Sequence, residues 1–192
     1  TMSLRLGQIN GDRDIELLPP AETVFRGIEF SQDGSSIYFT RQELGRPVYT
    51  LEKISALGGA PVKLRDKIDQ RFTLNPGETQ VVFERHSADN KTRSLILSGV
   101  DGSNERVLLT LPLERRLQAS VSWSADGSTL AFVASRDEKN QNVTTQVMPA
   151  QGGPPTLLTS TDWREISRLT WLKDGSGLLL IGAPADLQEG RQ

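Results

Sequence analysis

The chain contains no cysteine. That excludes disulfides, thiolate catalysis and cysteine-ligated zinc. It has one histidine, His86, in the polar stretch ERHSADNKT, so there is no set of imidazoles for a transition metal, and His86 reads as an exposed loop residue. No run approaches the length of a membrane-spanning helix; the longest candidate, Leu178 to Ile181, is of strand length. No charged-then-apolar leader is read at the start of these residues. Neither sign of charge is in large excess, with 22 basic against 24 acidic side chains and a net charge of −2. Nucleic acid and membrane insertion are therefore not expected, and neither a cofactor nor a metal is expected.

What the chain does have is repetition. FSQDGSSIYF (30–39), WSADGSTLAF (123–132) and WLKDGSGLLL (171–180) are near copies, and LNPGETQVVF (74–83) aligns with them without a gap. Taking the second turn residue as the origin gives Gly34, Glu78, Gly127 and Gly175, spaced by 44, 49 and 48 residues. Four positions before it stand Phe30, Leu74, Trp123 and Trp171; six before, Ile28, Phe72, Val121 and Leu169. Three after stand Ile37, Val81, Leu130 and Leu178; five after, Phe39, Phe83, Phe132 and Leu180. All sixteen are apolar and recur at the strand period of two. Asp-Gly between them marks a tight hairpin, because glycine accepts positive φ. Pro-Gly-Glu in the second unit predicts a different turn type there.

Each unit has a second half of the same kind: Leu51–Asp66, Leu95–Thr110 and Thr145–Ser160 each read as strand, glycine turn, strand. Four short strands in ~40–45 residues describe a propeller blade. The opening segment, Leu4–Pro19, aligns with the outer half of such a unit, and the chain closes its pattern with an inner half. The expected fold is all-β, with blades of four antiparallel strands: a half-blade over 4–19, blades over 24–66, 70–110 and 117–160, and a complementary half-blade over 164–183. The halves can pair within one chain, pair between chains, or belong to a longer propeller. The longer propeller is the favoured reading, because closing four blades demands steep curvature, and homo-oligomerisation through the free half-blade edges is its expected consequence. Strands such as QVVF and LLLI, apolar throughout, are expected to be covered on both faces.

These phrases resemble the repeats of TolB-type, WD-like β-propellers. More narrowly, GRPVYTLEKISALGGAPVKL, DGSNERVLL and DWREISRLTWLKDGSGLLL resemble propellers of bacterial multidomain proteins, where the propeller follows a serine/threonine kinase or winged-helix domain. The resemblance implies a sensory or interaction module, often outside the membrane, whose repeats run beyond this chain. No kinase motif is present: the nearest lookalike, Lys173-Asp174-Gly175, sits in a hairpin turn. Propellers of this type also precede prolyl-oligopeptidase-like hydrolases, but the chain has no G-x-S-x-G elbow.

Among candidate sites, the acidic clusters Asn10–Glu16 and Asp101–Glu105 offer oxygen ligands but do not fit a twelve-residue calcium loop. Asp33, Asp126 and Asp174 read as turn residues. Trp123 and Trp171 read as core, since Phe30 and Leu74 occupy the same repeat position. Arg26, Arg71, Arg115, Arg116, Arg164 and Arg168 all precede or begin an inner strand, where segments surround one mouth of a propeller channel. They would suit a protein or peptide carboxylate, or a small anionic ligand such as phosphate. The competing reading pairs them with the neighbouring Glu29, Asp69, Glu114 and Glu165. The function expected is that of a non-catalytic interaction or sensory module of a larger bacterial protein, the alternative being an accessory propeller of an enzyme.

Overall fold

The computed structural model describes residues 1–7, 9, 14–68, 71–135, 142–158 and 161–185, and every regular element among them is a strand. Strands β1 (Met2–Gly7) and β2 (Asp14–Ala21) form an antiparallel pair. The first four-stranded sheet is a meander of β3 (Thr23–Phe30), β4 (Ser36–Glu43), β5 (Tyr49–Ser55) and β6 (Val62–Ile68). The second repeats it with β7 (Phe72–Leu74), β8 (Gln80–His86), β9 (Thr92–Gly99) and β10 (Arg106–Pro112). The third has β11 (Leu117–Trp123), β12 (Thr129–Ser135), β13 (Val143–Pro149) and a short β14 (Thr156–Leu157). Strands β15 (Trp163–Trp171) and β16 (Leu178–Pro184) form a last hairpin, linked to β13 by the bridge between Val143 and Trp163.

The core lies between sheets. Leu4, Leu17 and Leu18 of the first pair meet Phe25, Ile37, Phe39 and Ile54 of the first sheet. The other face of that sheet, through Tyr38, Leu51 and Ile68, meets Phe72, Val81, Phe83 and Ile96 of the second. Val82, Leu95 and Leu97 then pack on Trp123, Leu130 and Phe132 of the third, and Ala131, Val133 and Val143 pack on Ile166 and Leu169 of the last hairpin. Two faces per sheet explain why β4, β8 and β12 hold unbroken apolar runs: each second strand has a neighbour on both sides. The tryptophans reach across these seams. The indole N–H of Trp123 donates to the Thr73 carbonyl at 3.4 Å, and that of Trp171 to the Ser122 carbonyl at 3.2 Å.

The turns account for the aspartates. Asp33 accepts from the Ser31 hydroxyl at 2.6 Å and the Ser35 amide at 2.9 Å, while the Ser31 hydroxyl oxygen accepts from the Ser36 amide. Ser124, Asp126, Ser128 and Thr129 repeat this arrangement. These bonds hold the Asp33 and Asp126 carboxyls down at about 2, the serine hydroxyl of each turn being the largest cause. The second unit does not use a different turn type. Glu78 adopts φ +53°, beside +70°, +71° and +73° at Gly34, Gly127 and Gly175, and its amide bonds the Asn75 carbonyl as Gly34 bonds Ser31. The Asn75 side chain takes over the capping, accepting from the amides of Thr79 and Gln80. Glu78 is not glycine because its carboxylate works across the seam, accepting from the Gln32 amide and, at 3.0 Å, from the Tyr38 hydroxyl.

Two further expectations are corrected. Strand β16 is not covered on both faces: Leu179 and Ile181 are each 57% exposed, because among the described residues no sheet lies on that side. His86 is the last residue of β8, paired with Arg93, and not a loop residue. The polar stretch Arg136 to Asn142, whose composition predicts the loop between the second and third strands of its blade, lies outside the described residues except for Asn142.

Replacing Ser124 by alanine leaves the Thr129 amide without its partner, and urea titration should show a loss of about 1–2 kcal/mol with unchanged m-value. Because Asp33 and Asp126 titrate below their ordinary 3.8, the stability they contribute is present above that value and drains as pH falls toward about 2. A D33N/D126N variant should flatten this part of the acid denaturation curve.

Candidate functional site

The inner strands of all four units converge. Residues of β3, β7, β11 and β15, with Arg71 just ahead of β7, line one cavity of about 640 Å³. Each of β3, β11 and β15 carries a register shift at corresponding places: between Phe25 and Ile28, between Gln118 and Val121, and between Ile166 and Arg168. Such bulges bend a strand and re-aim its side chains.

Three of the six candidate arginines reach this cavity: Arg26, Arg71 and Arg168. All three are exposed, and among the described residues none forms an ion pair with a carboxylate. The other three stand elsewhere. Arg115 donates to the Ser135 carbonyl at 2.5 Å, and Arg116 to the Arg164 carbonyl at 2.9 Å, which ties the base of β11 to the base of β15. Arg164 is exposed and does not line the cavity. The repeat carries a signal that separates them. Arg71 and Arg168 sit seven positions before the turn origin and Arg26 eight before, whereas Arg116 and Arg164 both sit eleven before. Of their expected carboxylate partners, Glu29, Glu114 and Glu165 make no ion pair among the described residues, and Asp69 lies outside them.

Glu29 is a site residue that reading for arginines missed as such. It lines the same cavity, half-buried, with its carboxylate accepting from the Leu74 amide at 3.2 Å. Removal from water pushes its carboxyl up to about 7, and the hydrogen bonds from Leu74 and Thr73 only partly offset this. Thr73, Ser122, Ser167 and Thr170 add hydroxyls to the wall. The cavity therefore presents guanidinium and hydroxyl donors, and one carboxyl that changes charge near neutrality.

The acidic clusters are engaged otherwise. Asp14 and Glu16 both pair with Arg5, Asp101 accepts from Ser103, and Glu105 bridges Arg65 and Arg85 at 2.5 Å each. Residues 10–13 of the first cluster lie outside the described residues.

With sheets stacked face to face around a central cavity, the architecture is decided. The fold is a TolB-like β-propeller. TolB from Acinetobacter baumannii superposes with a TM-score of 0.72 at 12% identity, over 96% of this chain and 44% of that one. A chain of a nidogen/laminin complex gives 0.65 at 16% identity over 89% and 61%, and a prolyl endopeptidase 0.62 at 18% identity over 89% and 26%. This propeller chain spans less than two thirds of the length of each. No family model matches it, and no curated protein matches it.

The raised Glu29 carboxyl fixes a sign. Stability associated with neutral Glu29 is complete below its ordinary 4.5 and is lost as pH rises through about 7. Glu29→Gln should therefore match the parent protein at acid pH and exceed it above neutrality by about 2 kcal/mol in denaturant titrations.

Proposed function

We propose that this propeller is a non-catalytic binding module whose central cavity takes an oxyanion presented by a partner, a peptide carboxylate being the favoured form and phosphate the small-molecule equivalent. The observation that carries this reading is the convergence of Arg26, Arg71 and Arg168 on one cavity with no carboxylate paired to them among the described residues. A planar guanidinium offers parallel donors that match an oxyanion. Neighbouring Thr73, Ser122 and Thr170 supply further hydroxyls. Glu29 sets the pH response: as pH falls through about 7 it loses its charge, and the cavity becomes more attractive to an anion. A role as sensory or interaction part of a larger bacterial protein accords with this chemistry. The reading as an accessory propeller of an enzyme draws support from the likeness to a prolyl endopeptidase.

The test compares a short peptide with a free C-terminal carboxylate, the same peptide amidated, and inorganic phosphate, by NMR chemical-shift titration. The free acid should perturb the inner-strand amides and the amide form should not. Binding should weaken roughly tenfold with each of Arg26→Ala, Arg71→Ala and Arg168→Ala, and should tighten below neutrality in the parent but not in Glu29→Gln. Arg164→Ala should leave it unchanged. Equal binding of the amidated peptide, or turnover of generic ester, peptide or nucleotide substrates, overturns the proposal.

A further inference from the structure

Two apolar faces at opposite ends of the row are uncovered. On β3, Ile28 and Phe30 are 51% and 55% exposed. Their cross-strand partners are Phe39 and Ile37, which are buried in the seam against β1 and β2. Directly opposed residues share a face, so Ile28 and Phe30 continue an interface already formed and merely run past its edge. On β16, Leu179 and Ile181 stand opposite Thr170 and Arg168, on the face turned away from Ile166, Leu169, Leu178 and Leu180.

The repeat shows what is missing. At the position of Leu179 stand Tyr38, Val82 and Ala131, all within the buried core because a following sheet covers them. At the position of Phe30 stands Trp123, buried because the preceding sheet covers it through Val82, Leu95 and Leu97. The first pair, β1 and β2, aligns with the outer half of a blade, and no inner half pairs with it among the described residues. The last hairpin, β15 and β16, aligns with an inner half, and no outer half pairs with β16 among the described residues. Among the described residues β1 pairs only with β2, and β16 only with β15.

We infer that copies of this chain associate head to tail, β16 of one copy pairing antiparallel with β1 of the next to complete a four-stranded blade. The register follows from the second sheet, where Val82 faces Leu97 and Glu84 faces Leu95. The repeat places Leu179 on Val82, Ile181 on Glu84, Leu6 on Leu97 and Leu4 on Leu95. In the junction Leu179 therefore lies opposite Leu6, and Ile181 opposite Leu4. Leu4 and Leu6 already face the first sheet. Leu179 and Ile181 then turn to that same sheet, on the side where Ile28 and Phe30 wait uncovered. A second copy is the occupant that fits, because β1–β2 and β15–β16 are complementary halves of one blade carried by the same chain. The contact also reuses a seam that the chain builds repeatedly within itself. Two copies joined twice close a ring under two-fold symmetry. The pairing does not depend on what the cavity binds.

Light scattering coupled to size exclusion tests this on the 192-residue chain. The expected mass is twice the 21.1 kDa of one chain. Phe30→Glu and Ile181→Lys each change an exposed residue at a different end, so each variant alone should be monomeric with an unchanged circular dichroism spectrum. Mixing the two should restore a dimer, since one junction then has parent residues on both sides. A concentration-independent monomer overturns the inference, and means that other strands or another protein cover these faces. Association that survives both substitutions overturns it equally.

Discussion

Each of the three four-stranded sheets is apolar on both faces, and none of them can bury itself alone. Phe39, Phe83 and Phe132 occupy one repeat position and are essentially inaccessible to water, each in the middle strand of a seam. Burying an aromatic of that size is favourable by about 1.5–3 kcal/mol, and the gain is realised only when the adjacent sheet is in place. Stability therefore belongs to the interfaces between units more than to the units, as in other repeat architectures. This accounts for the exposed apolar residues at the two ends as well: they are of the same kind as those inside, with no covering sheet among the described residues.

The polar groups obey the same rule. Arg65 of the first sheet lies 4.4 Å above the Phe83 ring of the second and pairs with Glu105, which also holds Arg85. The two guanidiniums keep Glu105 down at about 2. Its charge is therefore fixed across the physiological range, and the pair acts as a permanent clasp between blades. Glu78 clasps the same seam from the turn side, through Gln32 and Tyr38. Glu29 has amide and hydroxyl donors but, among the described residues, no cation paired with it, and burial pushes its carboxyl up to about 7. Carboxylates committed to the seams are thereby distinguished from the one facing the cavity.

The blade pattern was legible because it is written by period-two alternation and by a turn whose glycine must take positive φ. The second turn was misread because a residue type was taken to dictate a backbone conformation. Glu78 tolerates the left-handed region once its carboxylate and the Asn75 cap hold it there. The exposure of β16 was misread because apolar composition reports what a strand is suited to meet, not whether the neighbour is present. At the site, arginines near inner strands were visible, but which of them face the cavity depends on inner-strand bulges. A bulge moves a side chain by one position without changing the apolar spacing around it. Glu29 was invisible as a site residue for a different reason: its perturbation comes from burial, which one sequence position does not display.

The position seven residues before the turn origin also separates the two demands on the chain. Seven residues before the turn, the units carry Gly27, Arg71, Ser120 and Arg168, while the sixteen flanking positions remain apolar in every unit. Packing constrains most of the flanks, since a polar side chain there would be buried between sheets without a partner. It does not constrain Arg71 or Arg168, which turn into the cavity and leave the seams undisturbed. Chemistry in the cavity can therefore vary from unit to unit while the scaffold repeats. That is why likeness to TolB or to a prolyl endopeptidase fixes the architecture and leaves the ligand to these few unrepeated residues.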